Sequence, residues 1–406
     1  MRVEINPQYI SQGVQGRIHE VVRINGVEVH NTLAKIYHDS QKARPSKKFI
    51  RHIAKTNLRT CPELECIPYE YFKCGTKAGI VMKRAIGKSL ESSYEELAHS
   101  ELKYRLEICT NLSRGISILH SAGIVVADIN DVNIFRDGKE IRIIDIDGGG
   151  IPAKGIKPSV RGHSGGSILA PELFFDSTRL PDFLSDDWSL SVLNHKILIP
   201  GLDPYYFLDK YSDIKKVREW PPRKGMYPNA EITEIQLSLL KACGPLQNLF
   251  KSTFNEGISS PSRRTSARAF EETIRSCLQS VHKCQCCKKE FVAIDTNACP
   301  FCGKVFVDVI LTLKNKEYSL FYKRLSLTAE EFGYQKNDRP LVTFQSDGHI
   351  VYCQMLDNLR IRYKGKEIIT RQIFTIPVDA PKFLEIHYNG SRLQVVVYSR
   401  NSGNFS

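Results

Sequence analysis

The sequence contains no run of about eighteen apolar residues, the shortest stretch that crosses a bilayer as a helix. Its first residues, MRVEINPQYI, lack a basic region followed by an apolar core, so no secretory signal peptide is expected there. These two absences argue against the membrane and secreted classes and predict a cytoplasmic protein. Acidic residues are also missing from positions 40–62, although the chain as a whole has 44 of them.

The composition is that of a globular protein with an excess of basic residues. A length of 406 residues predicts two or three domains, and 42% hydrophobic residues are enough for sizeable cores. The formal net charge of +13 favours acidic partners such as nucleotides, nucleic acid or anionic proteins, the alternative being a generally basic surface. Five of the twelve cysteines lie within residues 284–302, which in a reducing compartment favours metal binding over disulfides.

Hydrophobic periodicity divides the first 280 residues into a strand-rich part and a helix-rich part. Residues 1–82 are predicted to form strands, interrupted by one helix near residues 45–58, where Pro45 and Ser46 suit a helix start. Further segments follow in order: a long helical pattern from about 92 to 123, β-like runs at 123–128 and 140–147, a glycine-rich loop at 148–167, and helical patterns at 183–199, 231–254 and 266–280. Strands followed by helices predict a two-lobed α+β domain.

The strand-rich part contains two features that suit a nucleotide. Gly13 and Gly16 lie between two strand-like segments, where glycine lets backbone amides approach a phosphate closely; a plain glycine hairpin is the alternative. Lys35 lies within an apolar strand, where an unpaired buried ammonium is costly. A phosphate partner explains this lysine, and an edge-strand position facing water is the alternative.

The helix-rich part carries a matching set of polar residues. Asp128-Ile-Asn-Asp-Val-Asn133 follows the long helical pattern, and Asp145-Ile-Asp147 follows a short strand-like run. Phosphoryl transfer requires groups that hold the phosphates and magnesium and that aim and deprotonate the acceptor hydroxyl. Carboxylate and amide side chains at these positions are suited to hold magnesium, to aim the acceptor hydroxyl and to deprotonate it.

These motifs, in this order, resemble the protein-kinase superfamily over about 270 residues. The Leu-His-x-x-Gly-Ile stem before Asp128 resembles the family's passage into its catalytic loop. Three further motifs resemble the family's Ala-Pro-Glu sequence, its Asp-x-Trp-Ser-Leu helix start and its late Arg-Pro-Thr: Ala170-Pro171-Glu172, Asp186-Asp187-Trp188-Ser189-Leu190 and Arg264-Thr265-Ser266.

The resemblance implies a role for each matching residue. Asp128 is expected to be the catalytic base, and Asn133 and Asp145 are expected to be magnesium ligands. Lys35 is expected to grip the α and β phosphates of ATP. Gly13 and Gly16 are expected to cover the nucleotide, with Met82 as the gatekeeper just before a hinge at residues 83–85.

The chain departs from the family pattern at four places. Val126-Ala127 replaces His-Arg before the catalytic aspartate, Ile146-Asp147 replaces Phe-Gly after the magnesium aspartate, and Ser11 replaces the first glycine of the loop. The fourth departure is the acid-free stretch 40–62, where the family keeps the glutamate that pairs with its lysine. Glu63, Glu65 and Asp145 are the candidates to hold Lys35 instead.

The cysteine cluster has the spacing of a zinc ribbon. Two C-x-x-C pairs are separated by eleven residues, and each pair can turn two thiolates toward one tetrahedral ion. The expected zinc ligands are Cys284, Cys287, Cys299 and Cys302. Cys286 is the spare and could compete with Cys284. Four protein ligands favour a structural over a catalytic role, with redox use of the thiols as the alternative.

A kinase-like domain followed by a Cys-Pro-x-Cys ribbon resembles a group of bacterial atypical serine/threonine kinases. Members of that group carry Asp-x-Asn-x-x-Asn in the catalytic loop and Asp-x-Asp in place of Asp-Phe-Gly, as this chain does. The resemblance implies two partner proteins, a von Willebrand-type A protein and a metal-dependent phosphatase.

The expected organisation is a kinase-like domain at residues 1–280, with its N-lobe at about 1–84 and its C-lobe at 85–280, followed by a zinc ribbon at 281–304 and a β-rich domain at 305–406. Alternating polarity in the last of these predicts a small β-sandwich or barrel, either a phosphopeptide- or partner-binding module or a structural cap.

The sequence predicts an ATP-dependent serine/threonine protein kinase that uses Mg²⁺ and carries structural Zn²⁺. The alternative is a pseudokinase scaffold that binds nucleotide and recruits partners through the ribbon and the β domain. A kinase acting on a small molecule is a third interpretation, against which Ala170-Pro171-Glu172 and the segment 148–169 suggest a peptide-substrate platform. Nucleic-acid binding is not expected, because no aromatic-basic platform is evident.

Overall fold

The computed structural model describes most of the chain, which divides into two compact units. The units comprise Met1–Leu278 and Gln279–Ser406. The described residues are 2–38, 45–159, 168–176, 178–200, 204, 241–284, 286–294, 296, 298–305, 308–320, 324–335, 338–346, 350–357, 359–368, 373–378 and 380–400. Among the helices in these ranges, none combines the length and the apolar character that a membrane crossing requires.

An antiparallel sheet forms the first lobe of unit one. Its strands are β1 (Val3–Gln12), β2 (Gly16–Ile24), β3 (Val27–Glu28), β4 (Thr32–Tyr37), β5 (Glu70–Cys74) and β6 (Lys77–Lys83). The order is β1-β2-β4-β6-β5, with β3 paired to β2. Helix α1 (Lys47–Ala54) packs on β5 through an apolar stripe that includes Phe49 and Ile53. The helix starts where the sequence predicts, because the Ser46 side chain accepts a hydrogen bond from the amide of Phe49.

The second lobe is built around two buried helices. Its helices are α2 (Tyr94–Ala98), α3 (Leu102–Ser121), α4 (Pro171–Phe175), α5 (Phe183–Leu198), α6 (Gly244–Lys251) and α7 (Ala267–Gln279). Helix α5 is buried around most of its circumference, packs on α3, and begins at a capping box between Asp182 and Ser185. A small sheet lies beside them: β7 (Lys88–Ser89), β8 (Ile134–Asp137) and β9 (Glu140–Ile143).

The structure corrects two of the predicted elements and leaves two partly outside its described ranges. The run 123–128 is not a strand, since only Val125 makes a ladder pair there, with Gly150. The run 140–147 ends as a strand at Ile143 because Asp145 adopts a left-handed backbone, φ 58°. Residues 160–167 of the glycine-rich loop and 231–240 of a predicted helix lie outside the described residues.

Unit two combines a short hairpin with two larger sheets. The hairpin pairs β10 (Val281–Lys283) with β11 (Glu290–Val292). The larger strands are β12 (Asp308–Leu313), β13 (Lys316–Ser319), β14 (Leu325–Leu327), β15 (Val342–Ser346), β16 (Ile350–Met355), β17 (Arg360–Tyr363), β18 (Lys366–Ile368), β19 (Ile373–Pro377), β20 (Lys382–Tyr388) and β21 (Ser391–Arg400). One sheet has the order β13-β12-β21-β20-β17-β18 and the other β14-β15-β16-β19. Their inner faces share one apolar core, so the predicted β module is an open sandwich.

Candidate active site and cysteine cluster

A cleft of about 1110 Å³ in unit one collects the residues that the sequence singles out for nucleotide chemistry. Its walls come from the β1–β2 hairpin, from β4, from the segment after β6, and from the loops on either side of β8 and β9. All seven predicted nucleotide-site residues line it: Gly13, Gly16, Lys35, Met82, Asp128, Asn133 and Asp145. Residues separated by more than a hundred positions in the sequence therefore meet at one cavity.

The two glycines of the hairpin are under different constraints. The amide of Gly13 donates to the carbonyl of Gly16 at 2.9 Å, which closes the turn between β1 and β2. A Cβ on Gly16 would lie 2.3 Å from the carbonyl oxygen of Ile36 on β4, whereas a Cβ on Gly13 would have nothing within 4 Å. Gly16 is thus required by the close approach of two strands, and Gly13 leaves open space over the cleft.

Met82 lies at the end of β6, opposite Leu33 of β4, and both side chains line the cleft. Met82 is almost fully buried. The amide of Arg84 donates to the carbonyl of Asn31 at 2.8 Å, so the predicted hinge stays attached to the first lobe.

Lys35 is a buried ammonium with several oxygen partners. Its Nζ donates to Asp145, to Asp147 at 3.1 Å and to the side-chain oxygen of Gln15 at 2.7 Å. Burial alone would lower the pKa of Lys35, but the carboxylates of Asp147 and Asp145 raise it, so the lysine carries its charge. Asp145, one of the three predicted partners, is therefore in contact with Lys35.

The other two predicted partners of Lys35 are wrong. Glu63 is buried and pairs with Arg114 of α3. Glu65 pairs with Arg142 of β9 and with Lys83. Both glutamates lie in the connection between α1 and β5, where basic side chains nearer than Lys35 neutralise them.

The partner that the sequence reasoning missed is Asp147, which it treated only as a departure from the family pattern. Asp147 is 2% exposed and also accepts a hydrogen bond from the hydroxyl of Tyr37. Burial would raise the pKa of Asp147, yet the Lys35 ammonium and the hydrogen bonds it accepts lower it. Burial and the neighbouring Asp147 raise the pKa of Asp145 to about 7, as expected where two carboxylates share one cation.

The loop before β8 fixes the predicted catalytic base. Asn130 donates to one carboxylate oxygen of Asp128 at 3.0 Å, and Asn133 donates to the other at 3.3 Å and to the Asp128 carbonyl at 3.1 Å. The side-chain oxygen of Asn130 in turn accepts from the amides of Val132 and Asn133. Asn130 therefore orients Asp128, a role that sequence reasoning did not give it even though Asn130 belongs to the Asp-x-Asn motif.

The β8–β9 hairpin brings the two predicted magnesium ligands side by side. Ile134 pairs with Ile143, and the amide of Ile144, the residue before Asp145, donates to the carbonyl of Asn133 at 3.0 Å. The amide and carboxylate oxygens at these positions are hard donors of the type that Mg²⁺ prefers. The donor set of Asn133 and Asp145 therefore fits this ion.

Asp186 of α5 supports the chain just before the catalytic loop. Its carboxylate accepts hydrogen bonds from the amides of Val126 at 2.7 Å and Ala127 at 2.9 Å, and contacts Nε2 of His120 at 3.1 Å. Ala127 adopts a left-handed backbone, φ 73°, which these bonds hold in place. Burial alone would lower the pKa of His120, but the carboxylates of Asp186 and Asp187 raise it.

A buried ion pair joins two of the motifs that resemble kinases. Arg264 donates to both carboxylate oxygens of Glu172, at 2.7 and 2.6 Å. The same guanidinium donates to the carbonyls of Gly257 and Leu184 and lies over the Trp188 ring at 5.1 Å. The pair thus fixes α4, the start of α5 and the segment before α7 to one another.

The four predicted zinc ligands come together in unit two. The Sγ atoms of Cys284, Cys287, Cys299 and Cys302 lie within 4.8 Å of one another, a group that does not include the exposed Cys286.

Each cysteine pair forms the same turn, because the amide four residues after the first cysteine donates to its carbonyl at 2.9 Å, from Lys288 to Cys284 and from Gly303 to Cys299. Four sulfur donors on two such turns fit a tetrahedral Zn²⁺.

Comparisons with known proteins include the following two partial matches. No protein-family model matches the chain. The chain is 27% identical over 179 residues to the "Putative serine/threonine-protein kinase/receptor R831" of Acanthamoeba polyphaga mimivirus, an alignment that covers 41% of this chain but only 11% of that protein. It also aligns with the crystal structure of Rad53 1-466 in complex with AMP-PNP, at 18% identity and a TM-score of 0.48, over 67% of this chain and 65% of that one. The viral match supports the resemblance of this chain to the protein-kinase superfamily.

Proposed function

We propose that the first unit is an ATP-dependent serine/threonine protein kinase that transfers the γ-phosphate of Mg-ATP to protein hydroxyls. The observation that carries the proposal is that one cleft is lined by four residues whose side chains suit phosphoryl transfer: Lys35, Asp128, Asn133 and Asp145. The relative's name is consistent with this proposal. The comparisons give no support for the two partner proteins that the family resemblance implies, and the proposal does not include them.

Each residue has a task that its surroundings permit. Lys35, already charged and buried, offers an ammonium to the phosphates, and the amides near Gly13 lie above them. Asn133 and Asp145 hold Mg²⁺, which when bound supplies positive charge against the phosphate oxygens. Asp128 accepts the proton of the attacking hydroxyl, and its carboxylate is kept in one orientation by Asn130 and Asn133.

The test is an incubation with labelled ATP and Mg²⁺, with the wild type beside Asp145→Asn. Loss of a magnesium ligand should lower labelling by orders of magnitude without unfolding the protein. Asp137→Asn, on an exposed hairpin end, is the matched control and should label like the wild type. Equal labelling of Asp145→Asn and wild type would refute the assignment. No labelling of either, with tight ATP binding, would favour the pseudokinase scaffold.

We further propose that unit two binds one structural Zn²⁺ through its four clustered cysteines. Elemental analysis of the purified chain should give about one zinc per molecule, because four thiolates form a closed tetrahedral site. Cys299→Ser should lose the metal and expose residues 284–302 to proteases, since binding energy replaces the core that so short a segment lacks. Cys286→Ser is the control, and metal loss in that variant with retention in Cys299→Ser would overturn the ligand set.

A further inference from the structure

A buried lysine in a phosphate site needs a permanent carboxylate partner. The Lys35 side chain is 7% exposed, and an ammonium at that depth is costly without a counter-charge. Helix α1 contains no acidic residue, and Glu63 and Glu65 pair with basic side chains other than Lys35. Within the described part of the chain, the recorded carboxylate partners of Lys35 are Asp145 and Asp147.

The two aspartates differ in what else they can reach. The side chain of Asp145 is 33% exposed and lines the cleft, where a divalent cation would compete with Lys35 for its oxygens. The side chain of Asp147 is 3% exposed and is not part of the cleft wall. Asp147 can therefore stay with Lys35 while Asp145 turns to a metal ion.

Tyr37 holds Asp147 in this position. Lys35 and Tyr37 are two residues apart on β4, so their side chains share a face of the sheet and both donate to the Asp147 carboxylate. The left-handed backbone of Asp145 and the 3₁₀ turn Ile146–Gly148 bring Asp147 under that face. One strand thus holds the aspartate through two side chains.

We propose that Asp147 is the positioning residue of Lys35 and takes the place of a helix-borne glutamate, so that the phosphate-binding lysine is set without any contribution from α1. The proposal rests on the proposed kinase function of the same cleft. The lysine is then ordered by its own strand β4, by the segment after β9 and by Gln15 of the β1–β2 turn, and not by α1.

The experiment measures ATP binding and turnover in Asp147→Asn beside the wild type, with Glu65→Gln as the matched control. Asparagine keeps an acceptor for Tyr37 but removes the charge that holds Lys35. The interaction lost is a hydrogen bond between two charged groups. Because such bonds are among the stronger ones in proteins, the Kd and KM for ATP should rise by about 10- to 100-fold, with a smaller change in kcat. The concentration of Mg²⁺ that gives half-maximal activity should not change, because Asp147 is not a metal ligand here. Glu65→Gln should bind ATP like the wild type.

A double variant separates positioning from a merely structural role. In a Lys35→Met background, Asp147→Asn should cause no further loss of ATP affinity, because the aspartate acts through the lysine. Additive losses, an unchanged Kd in Asp147→Asn, or a shifted Mg²⁺ requirement would each overturn the proposal. If Asp147→Asn does not fold, Tyr37→Phe carries the test: it should raise the Kd several-fold, and an unchanged Kd would overturn the proposed support of Lys35.

The two proposals can fail separately. Phosphate transfer by the wild type with normal ATP binding by Asp147→Asn would leave the kinase function standing and remove the role of Asp147. No phosphate transfer by the wild type, together with the predicted loss of ATP affinity in Asp147→Asn, would remove the kinase function and leave the role of Asp147 standing.

Discussion

Replacing Glu172 by glutamine should destabilise the first unit strongly, because the change leaves the charge of Arg264 buried. The Arg264 side chain has no exposed surface and that of Glu172 is 11% exposed. Removing one partner of such a pair typically costs about 3–5 kcal/mol, since the remaining charge keeps its desolvation cost without its counter-charge. Glutamine retains one acceptor for Arg264, so we expect the free energy of unfolding to fall by about 3 kcal/mol, a large part of the ~5–15 kcal/mol that keeps a domain folded.

Urea titration followed by tryptophan fluorescence measures this loss in the right unit. The chain has two tryptophans, at positions 188 and 220, so unit two does not contribute to the signal. Trp188 lies directly beneath the guanidinium of Arg264, which places the probe at the substitution. The midpoint should fall while the slope of the transition stays the same, because the surface exposed on unfolding hardly changes.

Two further variants test the physical reason. Glu272→Gln removes the partner of Arg268 on the exposed surface of α7 and should leave the midpoint unchanged, because water screens that pair. Glu172→Leu combined with Arg264→Met should recover most of the stability that Glu172→Gln loses, since neither charge then remains buried. The reasoning fails if Glu172→Gln unfolds at the wild-type urea concentration, or if the double replacement is the least stable of the set.

Two more predictions concern Gly16 of the β1–β2 hairpin and His120, which contacts Asp186. Gly16→Ala should lower the free energy of unfolding by about 1–3 kcal/mol and weaken ATP binding, because its Cβ would meet the Ile36 carbonyl at 2.3 Å. Gly13→Ala should change the free energy of unfolding by less than about 0.5 kcal/mol, because its Cβ would have nothing within 4 Å. Equal urea midpoints for the two variants would contradict this difference. The raised pKa of His120 means that its contact with Asp186 adds stability that is complete below the unfolded pKa of about 6.5 and is lost as the pH rises through the folded pKa. The difference in unfolding free energy between wild type and His120→Gln should therefore be larger at acidic pH than at alkaline pH, and a difference that grows with pH would refute the assignment.

The elements that the sequence predicts well are those determined by neighbouring residues. Helix α5 lies at Phe183–Leu198, within one residue of the predicted 183–199, because its apolar pattern and its Asp182 cap are both local. The approach of the four cysteines likewise depends on two short turns whose spacing is visible in the sequence. Local pattern and local structure agree in both cases.

The elements that the sequence predicts poorly are those whose partners lie far along the chain. The apolar run 123–128 looks like a strand, but the amides of Val126 and Ala127 bond to the carboxylate of Asp186 instead of to another strand. The same kind of separation hid the contact of Asp147 with Lys35, since the two residues are 112 positions apart in the sequence. No periodicity in the sequence encodes either contact.

The position of β21 within its sheet has a consequence for how the sandwich forms during synthesis. β21 lies between β12 and β20 in its sheet, and Arg400 of β21 pairs with Asp308 of β12. It therefore connects the β12–β13 hairpin to the strands β20, β17 and β18. A growing chain that has reached only residue 390 therefore holds two sheet fragments that cannot pair with each other. Contacts of such high sequence separation slow folding, and the unpaired edges stay open to other chains until residues 391–400 leave the ribosome. We therefore expect this sheet to close only once β21 is available, and its open strand edges to favour aggregation before that point.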